Sequence, residues 1–226
     1  MKILIIGATG TIGAAIVHVL EAKHEVLGAS NARSALRVDL PNPDSIKQLY
    51  TNVGRVDAVV SAAGESAFRP LLALTDADFA LCLTSKLMGQ VNLVRFGVEL
   101  LADGGSFTLT TGILSRQPMP GSAAISAANA GLEGFVRAAA LELPRGLRIN
   151  AVAPGWVRET LVAMKMDPDL GMPAAQIAQT YLRAVEGSMT GQILDTVPLP
   201  EPSSATKPSQ RADSVREQTD AVPVRR

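Results

Sequence analysis

The first residues whose types and spacing promise chemistry are Gly7-Ala8-Thr9-Gly10-Thr11-Ile12-Gly13. They follow the apolar run Ile3-Leu4-Ile5-Ile6 and precede an amphipathic segment with Ala14, Ile16, Val17, Val19 and Leu20. That order predicts a strand, a tight loop and a helix. Glycine lets the chain turn sharply and come close to a ligand, while the first turn of the helix offers N–H groups without partners. Free N–H groups at the positive end of a helix suit a pyrophosphate, so the loop reads as a dinucleotide site. A glycine turn without a ligand would carry the same letters. Its place between an N-terminal strand and a helix favours the ligand.

Further residues bear on which nucleotide binds. In folds that prefer NAD, a carboxylate about twenty positions past the glycines bonds the ribose hydroxyls. Here the second strand ends at Ala29-Ser30-Asn31-Ala32-Arg33, without one. Ser30 and Asn31 can bond a 2′-phosphate and Arg33 can neutralise it, which favours NADP(H) over NAD(H). The alternative is that Arg33 points into water. Asp39, in Val38-Asp39-Leu40, either reaches the adenine amino group or caps the helix expected near Pro43-Asp44. The small residues Ala62-Ala63-Gly64, after Ser61, let the chain run close beneath the nucleotide.

These residues need a frame, and the rest of the chain supplies one. Apolar or β-branched runs recur at Ile3–Ile6, Glu25–Gly28, Ala35–Val38, Val56–Val60, Ser106–Thr110, Arg148–Val152 and Gln192–Val197. Helical patterns lie between most of them, clearest at Asp76–Leu101 and Ser122–Leu143. The alternation predicts an α/β fold: a doubly wound parallel sheet in a single domain over residues 1–197. Residues 29–34 are too few for a crossover helix, so an extended loop and a stunted edge strand are expected there. From Pro198 onward, prolines, hydroxyl residues and mixed charges predict a disordered tail over 198–226.

Composition narrows the class. The chain has 226 residues, 47% hydrophobic, enough for one sizeable core. A formal net charge of zero argues against nucleic acid or an anionic membrane as partner. The single cysteine, Cys82, rules out an internal disulfide and fits a reducing compartment, so a cytoplasmic location is expected. Its apolar helical surroundings mark it as a buried small side chain. The first apolar run is too short for a signal peptide, and no stretch is long and apolar enough for a bilayer. No paired Cys or His spacing predicts a metal site. His18 and His24 read as surface or packing residues.

The glycine loop, Asp39, Ala62-Ala63-Gly64, the helix with Lys86-Leu87-Met88-Gly89, and Arg148-Ile149-Asn150-Ala151-Val152-Ala153-Pro154-Gly155 carry a resemblance. Their order and spacing are similar to those of the short-chain dehydrogenase/reductase family over roughly residues 1–197. The loop has the glycine spacing of the extended and atypical branches, whereas the body resembles the compact branch. The resemblance implies that Thr9 to Gly13 wrap the phosphates and that Ala62 to Gly64 border the adenosine ribose. It also implies that Pro154, Gly155, Trp156 and Val157 flank the nicotinamide, with a mobile lobe over the substrate, where Met164, Met166 and Met172 cluster with Trp156.

The same resemblance implies an Asn, Ser, Tyr and Lys set reducing carbonyls or oxidising alcohols. The helical segment Ala128-Asn129-Ala130-Gly131-Leu132-Glu133-Gly134-Phe135 matches the one that begins just before the family lysine, which puts that lysine at Asn129, the tyrosine at Ile125, the serine at Gly112 and the asparagine at Lys86. None of the four types is retained. The only tyrosines, Tyr50 and Tyr181, lie in distant segments. Lys86 can substitute by donating a proton with a pKa lowered by burial, or it can simply cap a carbonyl. Thr111 can bond a substrate oxygen, or it serves β propensity; Ser115 and Ser126 are weaker hydroxyl candidates. Asn129 keeps the hydrogen-bonding part of the lysine's role toward the ribose without its charge.

Two functions follow. One is an NADP(H)-dependent oxidoreductase acting on a small carbonyl or alcohol with a non-standard proton relay; the other is a nucleotide-binding protein without redox turnover. By resemblance, a homodimer or homotetramer is expected through the helices near Asp76–Leu101 and Ser122–Leu143. The face Ala127, Ala130, Gly131, Gly134, Ala138 and Leu141 suits that contact, or else packs on the chain's own sheet.

Overall fold

The protein is described from a computed structural model covering residues 1–196. The tail expected over 198–226 lies outside the described residues, as does Val197, the last residue of the expected seventh strand. Seven strands form one parallel sheet: β1 Lys2–Ile6, β2 Glu25–Ser30, β3 Leu36–Arg37, β4 Val56–Ser61, β5 Leu101–Thr110, β6 Arg148–Ala153 and β7 Ile193–Asp195. Their order is β3-β2-β1-β4-β5-β6-β7. The chain winds outward from β1 to β3, then returns to β4 on the other side of β1. The crevice above β1 and β4 is therefore the switch point at which ligands of such sheets bind.

Period-two alternation sorts each strand onto two layers. Leu4 and Ile6 of β1 pack with α2 (Pro43–Val53), α4 (Gly89–Gly97) and α5 (Ala123–Ala139). Ile3 and Ile5 face the opposite layer, with α1 (Thr11–Leu20) and α7 (Ala174–Glu186), the helix that follows the short α6 (Arg158–Ala163). All four are fully buried. Burial of each such side chain stabilises the fold by about 1.5–3 kcal/mol relative to exposure, so the two faces of β1 tie both helix layers to one strand.

The stunted edge strand is present as β3, two residues long and paired with Ala29 and Ser30. β5 starts earlier than expected and its pairing with β4 is irregular between Val56 and Ala58. The long helix expected over 76–101 is instead interrupted. It runs as α3 (Asp76–Leu81), a π-wound segment Cys82–Met88, α4, and a single 3₁₀ turn Val98–Leu100. Two contacts accompany the wide winding. The Thr84 hydroxyl donates to the Ala80 carbonyl at 2.8 Å, competing with the helix ladder. Gly89 also packs so tightly that a Cβ there would lie 2.8 Å from the Leu40 Cβ.

Three other expectations are settled here. Asp39 does not cap α2: the cap is Asn42, whose Oδ1 accepts from the Asp44 N–H at 3.0 Å and the Ser45 N–H at 3.4 Å. Helix α5 ends at Ala139, before Leu143, as the approach to Pro144 requires. Ala127, Ala130, Gly131, Gly134, Ala138 and Leu141 are exposed, and it is Ala124, Ala128, Leu132 and Val136 that face the core. The small face of α5 is thus not spent on the chain's own sheet.

The glycine loop is the tightest junction of the fold. A Cβ at Gly13 would sit 1.9 Å from the Gly7 carbonyl oxygen, and one at Gly7, where φ is +82°, would sit 2.7 Å from the Ala62 oxygen. Gly13→Ala is therefore expected to cost about 1–3 kcal/mol or more, as overpacked sites do. At roughly 2–4 °C per kcal/mol for a chain of this size, a thermal melt followed by circular dichroism should shift down by several degrees. An unchanged melt would contradict this close approach.

Candidate active site

The crevice above β1 and β4 holds a pocket lined by Gly7, Ser30, Asn31, Asp39, Leu40, Ala63 and Gly64, all expected from the sequence. Pro41, Glu65 and Ser85 line it too and were not foreseen. Ser85 comes from the π-wound segment and its Oγ accepts from the Glu65 N–H at 2.9 Å, a contact no local pattern announces. Gly10 caps α1 without any side chain on the first N–H groups. Those donors stay directed at the space above the loop, where an anion gains from both hydrogen bonding and the helix dipole.

At the rim, Arg33 is exposed to solvent but bends back toward the loop. It folds over the glycine loop, Nη2 donating to the Thr9 carbonyl at 3.2 Å, while its backbone N–H donates to Ser30 Oγ at 3.0 Å. Ser34 Oγ also donates to Ser30 Oγ at 2.9 Å. Arg37 adds a second guanidinium beside Asn31, its Nη1 donating to the Asn31 carbonyl at 3.2 Å. Sequence reading missed Arg37 because its place depends on β3 pairing with Ser30.

The other candidate residues gather at the carboxyl ends of β5 and β6. Lys86 is buried, with Nζ donating to the carbonyls of Thr111 at 3.3 Å and Thr110 at 3.5 Å. Burial away from water pushes its pKa down to about 8. Lys86 thus caps carbonyls, and its third N–H has no partner among the described residues. Beside it, Gln90 donates to the Lys86 and Thr110 carbonyls, both at 2.9 Å, and accepts from the Thr110 N–H at 2.8 Å. Gln90 was also missed. It serves the Thr110 peptide as a neighbouring strand would.

Thr111 Oγ1 donates to the Asn129 carbonyl at 3.2 Å, so its proton is directed at α5. Asn129 is 1% exposed, and its Oδ1 has no partner. Its Nδ2 lies 3.5 Å from the Gly112 carbonyl, and a Cβ on Gly112 would come 2.9 Å from that nitrogen. The amide therefore fills the space beside a bare backbone. Ile125 stands half-buried on the first turn of α5 and offers only hydrocarbon. Ser126 donates to Ser122 Oγ at 3.1 Å. Ser115 bonds the buried Glu133 carboxylate, whose charge Arg137 at 3.1 Å and Arg116 at 3.6 Å balance. Glu133 carried no signal in the sequence.

Beyond β6, the Pro154 carbonyl accepts from the Ile113 N–H at 3.0 Å, which holds the two strand ends together. Trp156 meets Phe68 edge to face, with ring centres 6.4 Å apart. Val157 is buried and bridges to Met172, while Met164 and Met166 are exposed on the following segment. One expectation needs correction. Tyr50 bonds the Leu93 carbonyl at 2.6 Å, but Tyr181 is not remote from β5: its hydroxyl lies 2.6 Å from Thr110 Oγ1. It reaches that strand from the α7 layer, fully buried, with its pKa raised by desolvation. It therefore braces the sheet from below.

His18 is exposed beside Glu21, and His24 contacts Glu186 at 3.1 Å, both as surface or packing residues. Cys82 is buried and accepts from the Ala67 N–H. Among the described residues there is no cluster of metal-ligating side chains, and no helix is long and apolar enough to cross a membrane.

Comparison with known proteins agrees with this frame. Residues 11–187 match the family model described as enoyl-(acyl carrier protein) reductase, of the short-chain dehydrogenase/reductase family. A hydroxynaphthalene reductase of Aspergillus fumigatus is 31% identical over 153 residues, which is 64% of this chain and 56% of that protein. Carbonyl reductase family member 4 of Xenopus laevis is 27% identical over 198 residues, 80% of this chain and 84% of that one. The crystal structure of a Listeria innocua protein superposes with a TM-score of 0.83 at 44% identity, covering 86% of this chain and 98% of that one. A small-chain dehydrogenase in complex with NADPH superposes with a TM-score of 0.77 at 27% identity, covering 86% and 95%. With its sheet order, its glycine loop and these matches, the chain belongs to the short-chain dehydrogenase/reductase family.

Proposed function

We propose that this chain is an NADP(H)-dependent reductase acting on a small carbonyl or alcohol substrate, with a proton relay that does not use a tyrosine. The carrying observation is the buried Lys86 ammonium on the Thr110 and Thr111 carbonyls at the end of β5, where Thr111 also bonds the Asn129 backbone. The residues present fit a nicotinamide dinucleotide. Gly7, Thr9, Gly10, Thr11, Ile12 and Gly13 offer an uncapped helix start to its phosphates. Ser30, Asn31, Asp39, Leu40, Ala62, Ala63 and Gly64 form or border the pocket we assign to its adenosine half, and Arg33, folded onto the Thr9 carbonyl, is assigned to a 2′-phosphate. We assign Asn129 Oδ1, a buried acceptor without a partner, to a ribose hydroxyl, and Pro154, Gly155, Trp156 and Val157 to the nicotinamide end.

The cofactor supplies the hydride when bound. Protein groups then have two tasks, to hold the carbonyl and to deliver a proton. Ile125, where the family places its tyrosine, can do neither. Lys86 has one N–H left after its two carbonyls, and a water bound there would carry its proton onward. Thr111 steadies the Asn129 backbone, and its lone pairs remain for a donor. Similar proteins, among them a carbonyl reductase family member and a 3-oxoacyl-[acyl-carrier-protein] reductase, support a carbonyl substrate. The bare outer face of α5 supports a homodimer or homotetramer, and the lone cysteine supports a cytoplasmic setting.

A second reading, nucleotide binding without turnover, is favoured by Ile125 and by the two carbonyls that already occupy Lys86. The two diverge in measurable ways. With NADPH and a broad carbonyl panel, turnover is expected, and Lys86→Met should lower kcat by more than about tenfold, a threshold below the roughly 10²–10⁴-fold that a general acid typically contributes. Because the ammonium is the donor, the rate should be level below pH 8 and fall above it. A rate that rises above pH 8 would assign the neutral amine as base instead. No turnover with tight NADPH binding would select the second reading. Arg33→Ala should weaken NADPH at least tenfold more than NADH in a titration of binding heat. Equal losses would remove the 2′-phosphate from this site.

A further inference from the structure

We infer that the substrate is a planar, conjugated dicarbonyl of the quinone class, seated against Phe68 and Trp156; this rests on the reductase reading above. The wall comes from three elements. Trp156 follows the end of β6, Phe68 belongs to the segment after β4, and Gly121 leads into α5. Gly121 has φ +92°, and a Cβ on it would come 2.9 Å from the Phe68 ring. The Arg69 N–H also donates to the Gly121 carbonyl at 3.0 Å, which fixes Phe68 in place. Even so, Phe68 is 48% exposed and Trp156 only half-buried. An edge-to-face pair left open to water offers a third flat ring the same contact that it already makes. Met119, Met164 and Met166, all exposed, supply adaptable hydrocarbon around it.

Proton chemistry points the same way. Each hydroxyl near the ends of β5 and α5 is directed inward: Thr111 to the Asn129 carbonyl, Ser115 to Glu133 and Gly112, Ser126 to Ser122. Ile125 has no proton to give. Reduction of a lone ketone leaves an alkoxide about as basic as hydroxide, far above the range of any side-chain acid present. Such an oxygen needs a strong donor as it forms. Reduction of a quinone leaves a phenolate-type oxygen with a pKa of about 10, the value of a tyrosine. Water or a buried ammonium protonates that oxygen without a tyrosine's help.

The step balances. A hydride, two electrons and one proton, passes to the quinone from a reduced nicotinamide, which is oxidised. A second proton comes from the Lys86 ammonium, which water then reprotonates. Both C=O π bonds are replaced as the ring aromatises, and a hydroquinone leaves.

The test uses the full chain, and its single tryptophan makes it direct. Titration with 1,4-naphthoquinone should quench Trp156 emission to saturation, and Phe68→Ala should weaken that binding at least fivefold. With NADPH, and after subtraction of the uncatalysed rate, kcat/KM for naphthoquinone should exceed that for 1-tetralone at least a hundredfold. The latter is a bicycle of matched size with a single ketone, whose reduction leaves an alkoxide rather than a phenolate. Comparable rates on the two would overturn the substrate class and leave the reductase reading intact. So would quenching that does not saturate or ignores Phe68→Ala. Turnover of neither compound, nor of any carbonyl, while NADPH binds would overturn the reductase reading itself. Should Phe68→Ala fail to fold by circular dichroism, Phe68→Leu repeats the measurement with the bulk kept and the ring removed.

Discussion

The fold and the site both depend on one steric constraint, the approach of α1 to the ends of β1 and β4 through side-chain-free backbone. Gly13 lies on the Gly7 carbonyl, and Gly7 lies on the peptide of Ala62. Any side chain at either point would lift the helix from the sheet. Because nothing lifts it, the uncapped N–H groups of α1 open onto the crevice at the switch point. Packing and binding are therefore one feature here. The glycines that let Ile16 and Leu20 reach the sheet core also leave the helix start bare for an anion.

At the other end of the crevice, backbone carbonyls take the organising role. The Thr110 and Thr111 oxygens hold Lys86, and Gln90 completes the Thr110 peptide. On the opposite face, Thr110 Oγ1 is shared between the Ser61 carbonyl and Tyr181. The end of β5 is thus pinned from both layers, which gives a rigid floor. A rigid floor suits hydride transfer, in which orientation carries much of the rate. It also leaves few mobile donors, in keeping with a substrate whose product needs little acid.

The nucleotide frame was legible in the sequence because its signals are local. Glycine spacing, the run before it and the helix after it all lie within residues 3–20. The stunted β3 was legible for the same reason, since a short gap excludes a crossover helix. What stayed hidden depends on contacts between distant segments. The π winding that sets Lys86 goes with Gly89 pressing on Leu40, and no periodicity contains that contact. Tyr181 reaches Thr110 across 71 positions, so its separation in sequence misled. Arg37 and Glu133 became visible only when strand pairing and helix docking gave them neighbours. Asp39 misled differently. Asn42 was the better cap, and Asp39 was left free to line the pocket.

The central claim is that this crevice holds a complete nicotinamide dinucleotide without a tyrosine at its reactive end. A crystal structure of the chain with NADPH tests it most directly. The account predicts an ordered nicotinamide ribose within hydrogen-bond distance of Asn129 Oδ1, Ile125 as the α5 side chain facing the ring, and no tyrosine hydroxyl near it. A cofactor ordered only at its adenosine half, with Asn129 Oδ1 still unpartnered, would contradict the account.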